Sequence, residues 1–234
     1  MFSYILSYPL LSNYIRWVGT RDQPNTKKFI KANLEKYKAS SVLDAGCGTG
    51  GFSETVPSGV GYLGIDINRK FIDYAIKKYQ ISPIRQAQGK YQKELKDKYS
   101  NVILARFAEA PARRACPEPI KKFQTGNIMD VEIYRNRQFD TVLLISMLHH
   151  FSDGELEIIL PLIKRVTRKV VIIADIIPNP PNIFGKLLVK LDLGKFVRTK
   201  ESKTNLINKY LKVVNTELIE EGFTVQYGII CEVN

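Results

Sequence analysis

The chain has 234 residues, 44% of them hydrophobic, which is long enough for one well-buried domain and short for two. Lys and Arg outnumber Asp and Glu by 35 to 23, so the surface attracts anions such as nucleic acid, anionic lipid headgroups or acidic metabolites. Three cysteines, Cys47, Cys116 and Cys231, make an odd number at no metal-ligand spacing, which argues against a disulfide framework and a metal site and for a reducing, cytoplasmic setting.

Residues 1–18 are apolar and aromatic, but Ser3, Ser7, Pro9, Ser12 and Asn13 interrupt them and no basic residue precedes them. They read as neither a signal peptide nor a spanning helix. Two readings stay open: a helical segment packed on the domain, or a membrane-surface helix with Tyr4, Tyr8, Tyr14 and Trp17 at a headgroup boundary. The whole N-terminal helical segment covers residues 1–40. Within it, Phe29, Ile30, Leu34 and Tyr37 form one stripe that predicts a basic amphipathic helix over 26–38, covering the first strand.

Residues 42–45 read as a strand that runs into Gly46, Gly48, Gly50 and Gly51 and then into a helix start. Such a turn lets the main chain approach a ligand with its N–H groups exposed, and two cofactor classes fit it. Gly46, Gly48 and Gly51 satisfy G-x-G-x-x-G, and Asp66 lies 20 residues beyond Gly46, as in dinucleotide sites. Asp44, two residues before the first glycine, opposes a pyrophosphate and suits the sulfonium and ammonium of S-adenosylmethionine. Some forty residues precede this strand, whereas dinucleotide folds usually open with it.

Residues 61–66 read as a second strand ending in Asp66, an acid placed either to accept ribose hydroxyls or to cap the next helix, 69–79. Its inward residues are Phe71, Ile72, Ala75 and Ile76. The third strand is not convincing until 122–127, so residues 80–122 read as an insertion. Between 85 and 122 it carries ten basic and four acidic residues, half the net charge of +12. It reads either as a solvated peripheral helix with a loop tail or as a substrate lid or anion-binding arm.

A buried strand over 139–146 leads to both histidines of the chain, His149 and His150. Asp153 is expected to cap a helix to 167. Residues 169–177 read as a fully apolar strand of a central parallel sheet, stopped by Pro178, Pro180 and Pro181. Helices are expected over 183–191 and 202–211, and strands 213–218 and 223–233 form a hairpin. The alternation predicts an α/β fold: a doubly wound, mostly parallel seven-stranded Rossmann-like sheet with an antiparallel C-terminal strand, occupying residues 41–234. Asp44 with its turn, Asp66, Asn127 and the two histidines all fall at the C-terminal strand ends, where such sheets bind ligands.

In order and in combination, VLDAGCGTGGF, GYLGIDIN, TGNIMD and FDTVLLISMLHHF resemble the class I S-adenosylmethionine-dependent methyltransferases over residues 25–234. The resemblance implies S-adenosylmethionine as cofactor. It implies Asp44, Gly46, Cys47, Gly48, Thr49 and Gly50 around its methionine part, Asp66 and Ile67 at the ribose, Asn127 and Ile128 at adenine, and the main chain of Ile145 alongside. Within the family the chain is similar to small-molecule enzymes such as quinone-biosynthesis C-methyltransferases. It is also similar to short bacterial methyltransferases with Asp-Arg-Gly-x-x-Val-Arg after the fifth strand; here that segment runs from Asp192 to Arg198, with Leu193 in place of Arg. The fourth strand ends in neither N-P-P-Y nor D-P-P-Y, which disfavours adenine and glutamine amines as acceptors.

The expected function is methyl transfer to an O or C atom of a small, lipid-like or isoprenoid molecule. His149 or His150 then serves as the base for a hydroxyl or enol acceptor. The alternatives are an RNA or protein methyltransferase that uses the basic insertion and a silent binder on the same fold.

Overall fold

The computed structural model describes residues 22–80, 121–130, 138–191 and 194–233. The readings of residues 1–18, of the insertion between 81 and 120, and of Asp192 and Leu193 lie outside these residues.

Among the described residues, helix α1 (Pro24–Lys36) precedes β1 (Ser41–Ala45), and a 3-10 turn (Gly51–Thr55) leads to β2 (Gly61–Asp66). Helix α2 (Arg69–Ala75) ends in a π turn, followed by β3 (Lys121–Thr125) and β4 (Phe139–Ile145). After α3 (Asp153–Val166) come β5 (Thr167–Ile176), α4 (Ile183–Leu191), α5 (Lys200–Asn208), β6 (Lys212–Glu221) and β7 (Thr224–Glu232). The strands form one seven-stranded sheet in the order β3-β2-β1-β4-β5-β7-β6. All neighbours from β3 to β5 pair in parallel, and β7 runs antiparallel to both β5 and β6.

Alternation along the strands loads both faces of the sheet with apolar side chains. Leu43, Ala45, Val142, Leu144, Val171 and Ile173 meet Leu156, Ile159, Leu160 and Ile163 of α3 and Leu206 and Ile207 of α5 on one face. On the other, Val42, Leu143, Ile145, Val170 and Ile172 meet Phe29, Ile30 and Leu34 of α1 and Ile72 and Ala75 of α2. Helix α1 packs with Val42 of β1 in one cluster and also lies against β5, β6 and the 3-10 turn. The reason is its N-terminus: Glu221 of β6 accepts the Thr26 N–H, and Asn25 donates to the Glu220 carbonyl at 2.7 Å. A helix that opens on Pro24 with no capping side chain of its own takes its cap from the far hairpin.

Two local expectations change. The cap of α3 is Ser152, in a reciprocal box with Glu155, and not Asp153. The cap of α2 is Asn68, whose side chain accepts the Lys70 N–H, so Asp66 does not cap it.

Candidate active site

The strand order reverses between β1 and β4, the place where open α/β sheets present a crevice at their C-terminal ends. The β1 turn, Asp66, Asn127 and the β4 histidine loop emerge there side by side from four adjacent strands.

The turn after β1 holds Gly46, Gly48 and Gly50 at φ of +81°, +55° and +78°, values that side-chain-bearing residues rarely adopt. A Cβ on Gly46 would meet Met147 Sδ at 2.9 Å, so this glycine lets the β1 turn and the β4 loop close on each other. Gly48 instead has nothing within 4 Å of such a Cβ, which leaves open space over the turn.

Four N–H groups of the turn, which the sequence leads one to expect exposed, are taken up within the protein. Gly46 and Cys47 both donate to the Ile65 carbonyl, at 2.8 and 3.0 Å, and Gly50 donates to the Cys47 carbonyl at 2.9 Å. Gly48 donates to Asp66 Oδ2 at 2.9 Å, while Asp66 Oδ1 takes the Asn68 N–H at 2.7 Å. The position a pyrophosphate would claim is thus held by a carboxylate. Burial raises the Asp66 pKa, and these two backbone hydrogen bonds oppose the rise.

Asp44 lies beneath the turn rather than at its surface. It is 1% exposed, accepts the Tyr62 hydroxyl at 2.7 Å through Oδ2, and has a buried Oδ1 with no hydrogen-bond partner. Burial pushes its pKa up to about 7, against the Tyr62 hydrogen bond and helped by the charge of Asp66. The contrast between phosphate and cation expected of Asp44 therefore falls first on Asp66. Cys47 also turns inward: its Sγ packs against Gly64, and burial, then the charges of Asp44 and Asp66, lift its thiol well above the ordinary range. Thr49 is buried.

Next to Asp66, Ile67 is 73% exposed, an apolar side chain presented at the edge. Gly126 N–H bonds the Asp66 carbonyl at 3.0 Å, which joins the β3 exit to the β2 exit. Asn127 is exposed and turns its Oδ1 onto the Met129 N–H, while Ile128 is buried. Ile145 is buried, and the chain leaves it through Ser146 at φ +51°, held by its N–H on the Ala174 carbonyl at 2.7 Å and by Gln226 on its hydroxyl.

The two histidines separate. His150 is exposed, and its ring lies 4.2 Å from that of His149. His149 is 2% exposed, and its Nδ1 lies 2.5 Å from Asp175 Oδ1. Asp175 sits inside β5, a strand expected to be wholly apolar. Its Oδ2 lies 3.0 Å from Lys203 Nζ of α5 as an ion pair not aligned for a hydrogen bond, and Lys203 donates instead to the Ile176 carbonyl at 2.8 Å. Burial alone would raise the Asp175 pKa, but His149 and Lys203 together hold it below the usual range; burial lowers that of Lys203. An ionised Asp175 accepts only, so His149 donates to it from Nδ1.

The segment after α4 closes over this pair. Gly194 leaves no room for a Cβ, which would fall 2.0 Å from His149 Cδ2, and Phe196 N–H donates to the His149 carbonyl at 3.0 Å. Arg198, 8% exposed, donates to the carbonyls of Leu148, Phe151 and Phe196 and grips Asp153 Oδ1 at 2.6 and 2.8 Å. Sequence reasoning missed Asp175, Lys203 and the work of Arg198. A lone carboxylate in an apolar run was the one signal for Asp175; Lys203 left none.

No protein-family model and no curated protein matches the chain. Solved structures do. Magnesium protoporphyrin IX methyltransferase (ChlM) from Synechocystis PCC 6803 with bound SAH shares 17% identity at a TM-score of 0.58, over 89% of this chain and 82% of that one. The fold is that of the class I methyltransferases. TnmH agrees at 16% identity and a TM-score of 0.60, over 89% of this chain and 54% of its own. Human N-acetylserotonin methyltransferase in complex with SAM does so at 13% and 0.56, over 88% and 51%. Among the described residues no helix is long and apolar enough to cross a membrane.

Proposed function

We propose that this class I methyltransferase fold carries an S-adenosylmethionine-dependent methyltransferase acting on an O or C atom of a small molecule. One observation carries the cofactor: the N–H groups of Gly46, Cys47, Gly48 and Gly50 are spent on Ile65, Cys47 and Asp66, so the mouth of the turn offers a carboxylate and open space over Gly48. That chemistry favours a ligand with cationic groups and ribose hydroxyls and no phosphate. Asp66 then accepts from the ribose, Ile67, Asn127 and Ile128 border adenine, and Gly46, Cys47, Gly48, Thr49, Gly50 and the main chain of Ile145 line the methionine part, with Asp44 acting from below. Bound there, S-adenosylmethionine supplies an electrophilic methyl on a sulfonium.

The protein's own part is to align an acceptor, exclude water and hold a proton. Asp175 holds His149 through Nδ1 and stabilises its protonated form; for its ring, 2% exposed, to take the proton of a hydroxyl or enol acceptor, the segment from Gly194 to Phe196 that covers it moves aside. The solved methyltransferases that share this fold and hold SAH or SAM support the reading.

Calorimetry tests it. S-adenosylhomocysteine binds and NAD does not, and Asp66→Ala weakens the former by about 1.5 to 3 kcal/mol, the scale of hydrogen bonds to a charged group. Tight NAD binding would overturn the cofactor assignment.

A further inference from the structure

We infer that α4 and the β6–β7 hairpin tip form a docking surface for an anionic lipid bilayer. Helix α4 is apolar on both sides: Leu188 and Val189 are half-buried beside Gly185, while a second apolar face is left exposed. Gly185 is its buried position, against which a Cβ would fall 2.0 Å from the Phe223 carbonyl and 2.9 Å from Pro180 Cγ. Asn182 locks the seat, donating to the Phe223 carbonyl at 2.8 Å and accepting the Gly185 N–H at 2.6 Å. A surface helix normally buries its apolar stripe. Here the glycine faces the protein, and Ile183, Phe184 and Leu187 face outward at 78%, 63% and 52% exposure. Phe223, 42% exposed, joins them from the hairpin, its ring 5.7 Å from that of Phe184.

Lys186 and Lys190 stand exposed along the same helix face and make no ion pair among the described residues. A rigid apolar patch with interleaved lysines is the pattern of a helix lying in a membrane interface. Charge and area both favour lipid over a second copy of the chain. Each copy carries a formal net charge of +12, so copies repel. Four half-exposed side chains offer on the order of 400 Å², half the roughly 800 Å² per partner of a stable protein interface. Anionic headgroups complement the lysines, and the acyl boundary accepts the apolar side chains. The patch follows β5 and so lies on the edge of the sheet that carries the candidate site. The inference is independent of methyl transfer.

The test is co-sedimentation of the full chain with vesicles of phosphatidylglycerol and phosphatidylcholine, against phosphatidylcholine alone. The chain partitions onto the anionic vesicles, and high salt weakens but does not abolish this. Phe184→Ser with Leu187→Glu lowers partitioning at least ~10-fold, with S-adenosylhomocysteine affinity and melting temperature unchanged. Should that pair misfold, Lys186→Glu with Lys190→Glu changes only exposed charges and removes the anionic preference. Failure of the wild-type chain to bind, or wild-type binding by both variant pairs, overturns the inference. So does loss of binding on deleting residues 1–18 while the α4 variants keep it. A wild-type dimer that the α4 variants dissolve, without vesicle binding, assigns the face to a second copy instead.

Discussion

Two carboxyl groups on neighbouring strands show how differently the two ends of this sheet are built. Asp140 stands at the N-terminal end of β4. Its Oδ2 takes the Ser40 N–H and hydroxyl at 2.9 and 2.7 Å, with Arg168 and Lys169 each 3.0 Å from the carboxylate. Burial would raise its pKa, but Ser40 and Lys169 bring it down to about 2. Asp44 stands at the C-terminal end of β1, more deeply buried, with one hydroxyl partner, an orphaned Oδ1 and a pKa raised to about 7. The end with no chemistry to perform satisfies its charge fully. The end proposed to receive a ligand leaves Asp44 short of partners.

The largest effect is expected from Asp175→Asn, which strips the counter-charge from buried Lys203. Removing one member of a buried pair costs about 3 to 5 kcal/mol, read from urea unfolding. A cost under about 1 kcal/mol would mean that the pair is not buried as a charge pair.

Asp44→Asn sharpens the comparison through pH. A carboxyl whose folded pKa lies above its unfolded value contributes stability that is complete below about pH 4 and is lost as pH rises through about 7. Wild-type protein therefore weakens across that window and the Asn variant does not. The variant is equally stable near pH 4 and more stable by about 4 kcal/mol at pH 8, by chemical denaturation at both values. A cationic ligand should draw the Asp44 proton off, so S-adenosylmethionine binding at pH 7 releases protons, visible in calorimetry as a dependence of the heat on buffer ionisation.

His149→Asn lowers turnover about 100-fold, equivalent to about 2.7 kcal/mol, with S-adenosylhomocysteine affinity nearly intact. His150→Asn, at an exposed ring, lowers it far less. Equal losses from both would move the base off the Asp175 pair.

The smallest effect belongs to the satisfied end. Asp140→Asn costs about 2 kcal/mol at pH 7. The sign is opposite to that of Asp44: a depressed pKa contributes stability above about pH 4 that is lost as pH falls through about 2. The gap between wild type and variant therefore narrows on acidification, measured by urea melts at pH 7 and pH 3.

What the sequence alone determined is what short-range pattern encodes. Short continuous apolar runs set the central strands, 3.6-residue stripes set the helices, and three glycines in five positions set the turn after β1, because each depends on residues within one or two turns of chain. Strand ends are local too, so the gathering of Gly46, Asp66, Asn127 and His149 at one edge of the sheet was legible. Partners were not. Asp175 looks like a blemish in an apolar strand until the fold brings His149 from 26 residues before it and Lys203 from 28 after it; Asp153 reads as a cap until Arg198 claims it. The seat of α1 depends on Glu221, and the outward face of α4 on the Phe223 carbonyl beneath Gly185. A pattern tells which side of an element is apolar. Only the packed sheet decides what lies against that side, because the free energy of a buried charge or a capped helix end belongs to a pair of groups, and chain closure selects the pair.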